Sequence, residues 1–481
     1  MATFPAEFRD KALFVRLFGG HVYVVGGFVR DLVMGRPPAE VDLLVTGLPL
    51  DEVIRRIRPH GKVDLVGRSF GIIKFTVRKK TYDIALPRTD TAADVPSRRH
   101  KDIRVAADPE LPVEKDLERR DFRVNSMALR LADGLLVDPF GGREDIQARR
   151  IRLTNRRAFP EDPLRVLRVA RFSSVLGFSV DPEIYGIAKE IDLSGLSVER
   201  VNEELFKILL LSDRPSVGLE ELFRLGVLKQ LFPELYRLTL SIQDSVFHPE
   251  KDDFGHHSVW QHTRLTVDQA KALAGFAGLG QEKTLCLLLA ALYHDVGKPA
   301  TAHWEYKRGR MAITNNGHDL ASERIVKKVL ARFRIFSWNG HNLRKMVPLL
   351  IRSHHRLSEL WLNRENVTKK AFNRLAAETQ GEIELLVYLD AADRAGRRDR
   401  IVKSLDRQGK WLLKRFEELK VSRESIKPLI LGRDLIRLGI EPGPAMGKIL
   451  KRLYEMQLDN VFETKARGIR AAESLVRGKK G

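Results

Sequence analysis

Two short stretches near the N-terminus carry residue types that suit phosphoryl chemistry. Gly26 and Gly27 follow the apolar run HVYVV and lead into a segment with helical spacing that carries Arg30. Such a turn lets the backbone approach an anion, and Arg30 adds a charge-assisted fork for a phosphate. Glu40 and Asp42 stand two positions apart in a predicted strand, so both carboxylates leave the same face. Like charges so placed repel unless a cation lies between them, which predicts a Mg²⁺ site for phosphoryl or nucleotidyl transfer rather than a plain acidic edge.

Asp83, in the segment TYDIAL, lies on another predicted strand of the same region. It is either a third carboxylate for the same cation or an ordinary aspartate at the end of a strand. The sequence leaves both interpretations open.

A second stretch, FPEDPLRVLRVARF, interrupts an apolar helical pattern with charges. Asp162, Arg165, Arg168 and Arg171 follow one another in steps of three, so they share one stripe of a predicted helix. Burying four charges is costly unless a ligand meets them, although a solvated basic face is the simpler alternative. An acceptor beside a donor complements the Watson–Crick edges of C and A and rejects those of G and U. The stripe therefore predicts a protein surface that selects a base without a nucleic-acid template.

A third group consists of histidines and aspartates in the second half of the chain. The dipeptide His294-Asp295 follows an apolar run and precedes Gly-Lys-Pro, with His262 before it and Asp393 after it. Imidazole and carboxylate ligands of this kind surround a divalent transition metal. His318 and His354 are candidates for a second metal or for the substrate phosphate, and His355 competes with His354 for that role.

The elements that must position these groups change character along the chain. The first 140 residues mix strand and helix periods, with IIKFTVRKKTYDIAL predicting a hairpin that turns at two lysines. The polar stretch 89–112 has no period and predicts a long mobile loop. From about residue 158 the pattern is helical almost throughout. We therefore predict an α+β protein: a small mixed-sheet head followed by mostly α-helical sections.

Length and composition set the remaining bounds. A chain of 481 residues exceeds one core, so we expect two to four domains. We place them at 1–145 (head), 146–240 (helical neck), 241–400 (histidine section) and 401–481 (helical tail). The net charge of +21 favours a nucleic-acid partner over a membrane surface, and no segment has the length of a membrane span. Cys286 is the only cysteine, which excludes a disulfide within the chain and, with no signal peptide, predicts a cytoplasmic protein.

The glycine and carboxylate motifs resemble the signature of class II tRNA nucleotidyltransferases, which include CCA-adding enzymes and bacterial poly(A) polymerases. The family pattern GGxVRD, then D-x-D, stands here as Gly26 to Asp31 followed by Glu40-Val41-Asp42, with Glu40 where the family usually has Asp. The stretch LERRDFRVNSMAL resembles RRDFTxNA, and EDPLR resembles EDxxR. The resemblance implies two Mg²⁺ ions on Glu40 and Asp42, and nucleotide contacts from Gly26, Gly27, Arg30, Arg120, Asp121, Asn125, Asp162, Arg165, Arg168 and Arg171.

Two further resemblances extend over most of the remaining chain. The ERVNEEL segment resembles the family's R-x-x-x-E helix motif, with Arg200 and Glu204 matching. The histidine section resembles the HD phosphohydrolase domain, which implies His262, His294, Asp295 and Asp393 as metal ligands and a phosphatase or cyclic phosphodiesterase activity. The tail LILGRDLIRLGIEPGPAMGKILKRLYEMQL resembles the C-terminal segment of the same enzymes, where RNA contact and a solvated basic face are both reasonable.

Together these features predict a template-independent tRNA nucleotidyltransferase that adds CCA, or part of it, to tRNA 3′ ends from CTP and ATP. The alternatives are an enzyme that adds only CC or only A, a poly(A) polymerase, an HD metal phosphohydrolase with an RNA-binding head, and a non-catalytic RNA-binding protein. The long polar stretch favours the full activity as a lever that switches C to A addition. The HD section and the tail argue against a poly(A) polymerase.

Overall fold

A computed structural model describes residues 8, 10–38, 40–66, 72–92, 103–307, 309–419 and 427–477, with only the backbone described at 66, 89–92, 103–107 and 476–477. The contacts group the chain into two compact units. The first comprises residues 1–212 and 217–232, and the second comprises 213–216 and 233–481. The four predicted sections divide the chain more finely than these two units and stay a prediction.

The first unit contains a seven-stranded mixed sheet. The strand order is β3-β4-β5-β2-β1-β8-β9, in which β2 and β5 run parallel and every other pair is antiparallel. Apolar side chains of the sheet and of the flanking helices form its core, including Phe14, Leu43, Phe75 and Tyr82. Two further pairs, β6 with β7 and β10 with β11, form separate two-stranded sheets. The strands of this part of the chain are β1 (Val22–Val25), β2 (Asp42–Val45), β3 (Lys62–Val66), β4 (Ile72–Val77), β5 (Lys80–Ala85), β6 (Arg88–Ala92), β7 (Ile103–Ala107), β8 (Ala128–Arg130), β9 (Leu136–Val137), β10 (Arg150–Ile151) and β11 (Ser179–Val180).

Helices of this first part of the chain flank the sheet and continue beyond it. They are α1 (Lys11–Phe18), α2 (Gly27–Val33), α3 (Leu50–Ile57), α4 (Val113–Glu118), α5 (Gly142–Ala148), α6 (Leu164–Leu176), α7 (Pro182–Lys189), α8 (Val198–Leu211), α9 (Pro215–Arg224) and α10 (Val227–Leu231). The sheet followed by helices confirms the predicted α+β class and the change to helix after residue 158.

Two local predictions need correction. The hairpin of β4 and β5 forms, but its two turn residues are Arg78 and Lys79, both with positive φ, rather than the two lysines. The polar stretch 89–112 is not structureless along its length, because β6 pairs with β7 in antiparallel register. Alternating apolar and polar residues in IRVAA are too few to reveal a strand whose partner lies more than ten residues away. Residues 93–102, the centre of the predicted lever, lie outside the described residues.

The second unit is helical apart from one hairpin. Its helices are α11 (Pro233–Thr239), α12 (Val259–Phe276), α13 (Gln281–Tyr293), α14 (Lys298–Thr301), α15 (His318–Arg332), α16 (Leu343–Ser353), α17 (Arg356–Leu362), α18 (Lys369–Glu378), α19 (Ile383–Ala395), α20 (Arg407–Glu418), α21 (Gly432–Arg437), α22 (Pro444–Leu458) and α23 (Lys465–Arg477), and its strands are β12 (His303–Lys307) and β13 (Arg310–Thr314). The last three helices have a small apolar cluster of their own that includes Leu435, Leu453 and Phe462. None of the described helices combines the length and apolar character needed to cross a bilayer.

Candidate functional sites

The glycine turn at the end of β1 fixes how closely the backbone can be approached. Gly26 has φ of 73°, a conformation that favours glycine, and α2 begins at Gly27. A Cβ on Gly26 would lie 2.8 Å from Nη1 of Arg120. The absence of a side chain therefore brings the Arg120 guanidinium against the turn, next to the first amides of α2.

The carboxylates lie at the start of the neighbouring strand. Asp42 is the first residue of β2 and is paired in register with Val25 on one side and with Asp83 on the other. Glu40 is exposed and precedes the strand by two residues, so the strand is shorter than predicted. Burial raises the pKa of Asp42, and the charges of Asp83 and Glu40 raise it further against the opposing effect of Arg120. A buried carboxylate whose ionisation is opposed by two neighbouring carboxylates fits a divalent cation, whose charge would relieve that repulsion.

A hydrogen-bonded network joins the glycine turn to the predicted nucleotide-binding residues. Arg30 donates from Nη1 to Asn125 at 2.8 Å, and Asn125 donates to Asp121 at 3.1 Å. Arg168 donates from Nε to the other oxygen of Asp121 at 2.7 Å. Burial opposes ionisation of Asp121, but Arg168 and Asn125 outweigh it and lower its pKa. Asp121 is thus a charged bridge that orients Arg168 and, through Asn125, Arg30.

Asp162 and Arg165, the pair predicted to select the base, each form hydrogen bonds within the protein. Arg200, on α8, donates to Asp162 at 2.9 Å. Arg165 donates to the backbone oxygens of Ala158 and Arg119 at 2.5 and 2.7 Å. These contacts fix both side chains, yet a carboxylate has about four acceptor positions and a guanidinium has five donors. Each group therefore retains capacity for a ligand.

Two contributions to this site were not predicted from the sequence. Asp116 is fully buried and pairs with both Arg119 and Arg120, at 2.6 and 3.1 Å. The ring of Phe172 lies beneath three guanidinium groups, with Arg171 at 4.0 Å from its centroid. The sequence offered one signal for each. Asp116 stands four residues before Arg120, a spacing typical of ion pairs, and Phe172 directly follows the last arginine of the stripe.

One cavity of about 710 Å³ in the first unit collects these groups. Every residue predicted to be catalytic or nucleotide-binding in the head and neck lines this cavity. Asp83, which the sequence left as an open candidate, does not line it. Arginines and Lys207 outnumber its acidic residues, which suits a polyanion such as a nucleoside triphosphate. The lining includes Gly26, Gly27, Arg30, Glu40, Asp42, Arg120, Asp121, Asn125, Asp162, Arg165, Arg168 and Arg171.

The second unit brings the predicted metal ligands of the HD section together. Nε2 of His262 lies 2.9 Å from Asp393 and 3.7 Å from Asp295, and Nε2 of His294 lies 3.1 Å from Asp295. All four side chains are buried. Burial opposes ionisation of Asp295, but His294 and Lys298 hold its pKa well below the usual range. The carboxylates thus stay charged among imidazoles, as cation ligands must.

The orientation of the histidines supplies a test of whether a metal fits. Nδ1 of His294, His318 and His354 each lies within 2.5–2.8 Å of the carbonyl oxygen three residues earlier. These contacts fix the proton on Nδ1 and leave the lone pair on Nε2. Nε2 of His294 and of His354 is buried and has no hydrogen-bond partner within the described ranges. Buried lone pairs aimed at charged carboxylates fit a divalent cation.

A second histidine group adjoins the first. His318, His354 and His355 place ligand atoms within 4.8 Å of one another, as do His262, His294 and Asp393. Asp295 lies between the groups, because its other oxygen is 3.3 Å from Nε2 of His318. Both His354 and His355 therefore belong to the centre, rather than one excluding the other.

His248 and Glu250 also face this centre and were not predicted as site residues. Nδ1 of His248 and Nδ1 of His262 each lie 3.0 Å from the same Glu250 oxygen. Burial lowers the pKa of His248 to about 4, so its imidazole is neutral at pH 7. The sequence indicates these two residues only through the short motif His248-Pro249-Glu250, which precedes His262. A cavity of about 500 Å³, lined by His248, Lys298, His318 and His355 among others, opens onto the centre.

Comparisons with known proteins agree with this geometry. Residues 22–152 match the poly A polymerase head domain, residues 177–238 match a segment described as a probable RNA and SrmB-binding site of polymerase A, and residues 259–397 match the HD domain. The chain is 33% identical over 447 residues to the multifunctional CCA protein of Methylococcus capsulatus, covering 90% of this chain and 92% of that protein. It is 32% identical over 445 residues to that of Stenotrophomonas maltophilia, covering 90% and 97%.

Solved structures show the same fold. The Bacillus stearothermophilus CCA-adding enzyme in complex with CTP aligns with a TM-score of 0.65 at 22% identity, over 99% of both chains. The Thermotoga maritima CCA-adding enzyme complexed with tRNA_CCA aligns with a TM-score of 0.54 at 20% identity, over 99% of this chain and 97% of that one. The similarity to these relatives therefore extends over the head, the neck and the HD section, and covers about 90% of the sequence. The chain belongs to the multifunctional CCA protein family of tRNA nucleotidyltransferases.

Proposed function

We propose that this protein adds CCA to tRNA 3′ ends, taking C from CTP and A from ATP and using Mg²⁺ held by Glu40 and Asp42. The observation that carries the proposal is the single cavity in which those carboxylates meet Asp162 and Arg165. Mg²⁺ supplies charge neutralisation of the triphosphate and activation of the RNA 3′ hydroxyl. Asp83 does not line that cavity, but from its register position beside Asp42 it adds negative charge next to the cation site.

The residues around the carboxylates divide the work of holding the nucleotide. The amides at Gly26 and Gly27, with Arg30 and Arg120, bind the triphosphate at the turn. Asp121 and Asn125 hold the ribose side of the cavity and keep Arg30 and Arg168 in place.

The base is selected by groups that are already oriented. Asp162 accepts from the amino group of C or A, and Arg165 donates to the adjacent ring nitrogen. G and U present a carbonyl and an N–H there, which would leave buried polar groups unpaired. Arg171 and Arg168, above the Phe172 ring, provide the positive wall beside the nucleotide.

The test is nucleotide incorporation into tRNA transcripts that lack CCA. With CTP and ATP together, we expect three added nucleotides; with CTP alone, two; and with ATP alone, none. Addition that stops at two with both nucleotides indicates a CC-adding enzyme, and long A tails indicate a poly(A) polymerase. Glu40→Ala should abolish incorporation, and unchanged incorporation by that variant would exclude the carboxylate site.

A second activity is supported by the HD centre. We propose a metal-dependent phosphohydrolase there, with His262, His294, Asp295 and Asp393 as ligands of a divalent transition metal. The unpartnered Nε2 atoms of His294 and His354 support it, and imidazole-rich sites favour metals such as Ni²⁺ over Mg²⁺. A metal held by these ligands would activate a water, and Lys298, which lines the adjoining cavity with its Nζ 2.7 Å from Asp295, would hold the phosphate.

Release of phosphate from small phosphomonoesters in Ni²⁺, Mn²⁺ or Mg²⁺ tests this second activity. Asp295→Asn should abolish phosphate release and leave CCA addition intact, because the carboxylates for addition lie in the other unit. Phosphate release that survives Asp295→Asn would contradict the assignment.

A further inference from the structure

Asp116 lies near the end of α4 and holds two adjacent arginines of the head cavity. Its side chain is fully buried. One carboxylate oxygen accepts from Nε and Nη2 of Arg119 at 2.9 and 2.6 Å, and the other accepts from Nε and Nη2 of Arg120 at 3.3 and 3.1 Å. Burial opposes ionisation of Asp116, but the charges of Arg120 and Arg119 outweigh it and lower its pKa. Each arginine is therefore fixed along one edge by its own oxygen of a charged carboxylate.

The orientation of Arg120 follows from this pair. Asp116 takes Nε and Nη2, so the remaining nitrogen, Nη1, is turned toward the glycine turn, where a Cβ on Gly26 would lie 2.8 Å from it. Among the described residues, the guanidinium of Arg120 hydrogen-bonds only to Asp116. Its Nη1 thus faces the start of α2, the place proposed for the triphosphate, and retains donors for a ligand.

Asp42 is a competitor for the same guanidinium. It is paired in register with Val25, the residue before Gly26, and it lines one cavity with Gly26 and Arg120. Arg120 nevertheless forms its ion pair with Asp116, and none with Asp42 within the described ranges. A guanidinium and a carboxylate in one cavity attract each other, and a pair between them would occupy the oxygens that a divalent cation requires. An open cation site therefore depends on a second acid that retains Arg120.

We propose that Asp116 is a positioning residue that retains Arg120 at the glycine turn and thereby keeps the carboxylate of Asp42 open for a divalent cation. The inference rests on the cation site proposed at Glu40 and Asp42 and adds the residue that controls access to it. Asp116 does not line the cavity, so it acts through Arg120 rather than on the nucleotide. Without Asp116, Arg120 closes onto Asp42, and a cation must displace it. A role confined to charge balance in the interior would instead lower stability and leave cation affinity unchanged.

Binding of Mn²⁺ to the nucleotide-free full chain, followed by electron paramagnetic resonance, tests the cation site without turnover. The Mn²⁺ that Asp42→Asn removes belongs to the head, which separates it from Mn²⁺ bound at the histidine centre. For that ion, Asp116→Asn should raise Kd about fivefold or more, the equivalent of one solvent-accessible ion pair. Asp133→Asn removes an exposed ion pair with Arg130 in the same unit. It is the matched control and should keep Kd within about twofold.

A double-substitution cycle identifies Arg120 as the group that Asp116 controls. Arg120→Met removes the charge and keeps most of the side-chain stem, and in that background Asp116→Asn should change the Kd for Mn²⁺ by less than about twofold. Arg120→Met alone should bind Mn²⁺ at least as tightly as the unmodified chain, a result that does not require Asp116→Asn to fold. An equal loss from Asp116→Asn in both backgrounds, an unchanged Kd for Asp116→Asn, or weaker binding by Arg120→Met would each overturn the inference.

Incorporation of CMP into tRNA lacking CCA supplies a second readout. At saturating CTP, Asp116→Asn should raise the Mg²⁺ concentration for half-maximal incorporation about fivefold or more, with the rate at saturating Mg²⁺ within about threefold of the unmodified chain. A rate that saturating Mg²⁺ does not restore would contradict the positioning role. If Asp42→Asn removes no Mn²⁺, the proposed cation site fails and this inference with it. If Mn²⁺ binding follows the cycle but no CMP is incorporated, the proposed transferase fails and the positioning role stands.

Discussion

Asp42 and the arginines around it show how single side chains divide the work in the head cavity. Asp121, Asp116, Asp162 and Glu204 each pair with an arginine. Asp42 is influenced by Arg120 but forms no ion pair among the described residues, and burial, together with neighbouring carboxylates, raises its pKa. The paired acids therefore position cations, and Asp42 is the acid left for a metal.

Asp42→Asn tests that difference directly. We expect incorporation of CMP into tRNA lacking CCA to fall about 100-fold or more, because the amide cannot supply the charge that the metal requires. Asp51→Asn, an exposed carboxylate of α3, is the control and should stay within about twofold. Incorporation by Asp42→Asn at the control rate would remove Asp42 from the reaction.

The helix α8 supports the neck from one face. Arg200 holds Asp162, and Glu204, one turn later, holds Arg171 at 2.6 Å. Glu204 is buried and Arg171 nearly so, with side-chain exposures of 3% and 13%. Burial lowers the pKa of Arg171, and the charge of Glu204 opposes that effect. The helix thus fixes both ends of the charged stripe, and its Lys207 also lines the cavity.

Glu204→Gln should destabilise the first unit by about 3 kcal/mol, because it leaves a buried guanidinium without its counter-charge. The neighbouring variant Glu203→Gln loses an exposed i,i+4 pair with Lys207 and should cost about 0.5 kcal/mol or less. Urea unfolding followed by far-UV circular dichroism measures the free energy of unfolding of both variants. Equal effects of the two substitutions would show that the buried pair is not a special support.

Five helix regions converge on the HD centre. His262 comes from α12, His294 and Asp295 from the end of α13, His318 from the start of α15, His354 from the end of α16 and Asp393 from α19. At three helix ends or starts the histidine Nδ1 faces a local carbonyl oxygen, which fixes its ring. A metal bound there therefore connects helices that are distant in sequence.

Metal addition should raise the thermal stability of the chelator-treated protein. Binding at 100 times Kd contributes about 2.7 kcal/mol, which we expect to appear as a rise in Tm of about 5 °C or more. His294→Asn should remove the response to Ni²⁺ or Mn²⁺. His256→Asn, an exposed histidine before α12, should retain it. A response that persists in His294→Asn places the metal elsewhere.

At the level of the whole molecule, the net charge of +21 predicts that phosphate contacts dominate RNA binding. The affinity for tRNA should fall steeply, by about tenfold or more, between 50 and 200 mM salt, as measured by filter binding. A salt-independent affinity would contradict binding through phosphates. The slope of log affinity against log salt concentration reports the number of phosphate contacts directly, so no polyanion competitor is needed.

The single cysteine reports on the integrity of the second unit. Cys286 is fully buried within α13, and burial raises the pKa of its thiol, so the reactive thiolate is scarce. A thiol reagent such as DTNB should label it at least about 100-fold more slowly in the native protein than in denaturant. Rapid labelling under native conditions would show that the α13 region opens readily.

Short-range spacing in the sequence was sufficient to locate the chemical motifs of this protein, although not the turn residues of the β4–β5 hairpin or the start of β2. The glycine pair before a helix, the neighbouring carboxylates, the arginines in steps of three and the His-Asp dipeptide each depend on periods of two or 3.6 residues. These periods also predict the α+β class, because amphipathic segments must bury their apolar faces. The same rules could not predict the pairing of β6 with β7, since a pairing between separated segments depends on the rest of the fold.

Only the tertiary structure decided which groups meet. Asp83 lies beside Asp42 through the parallel register of β5 with β2, and Asp162 meets Arg200 across 38 positions of sequence. His248 joins His262 through Glu250, although 14 positions separate the two histidines in the sequence. Sequence spacing constrains neighbours within one element, whereas a cavity is formed by elements whose relative positions depend on packing of the whole core.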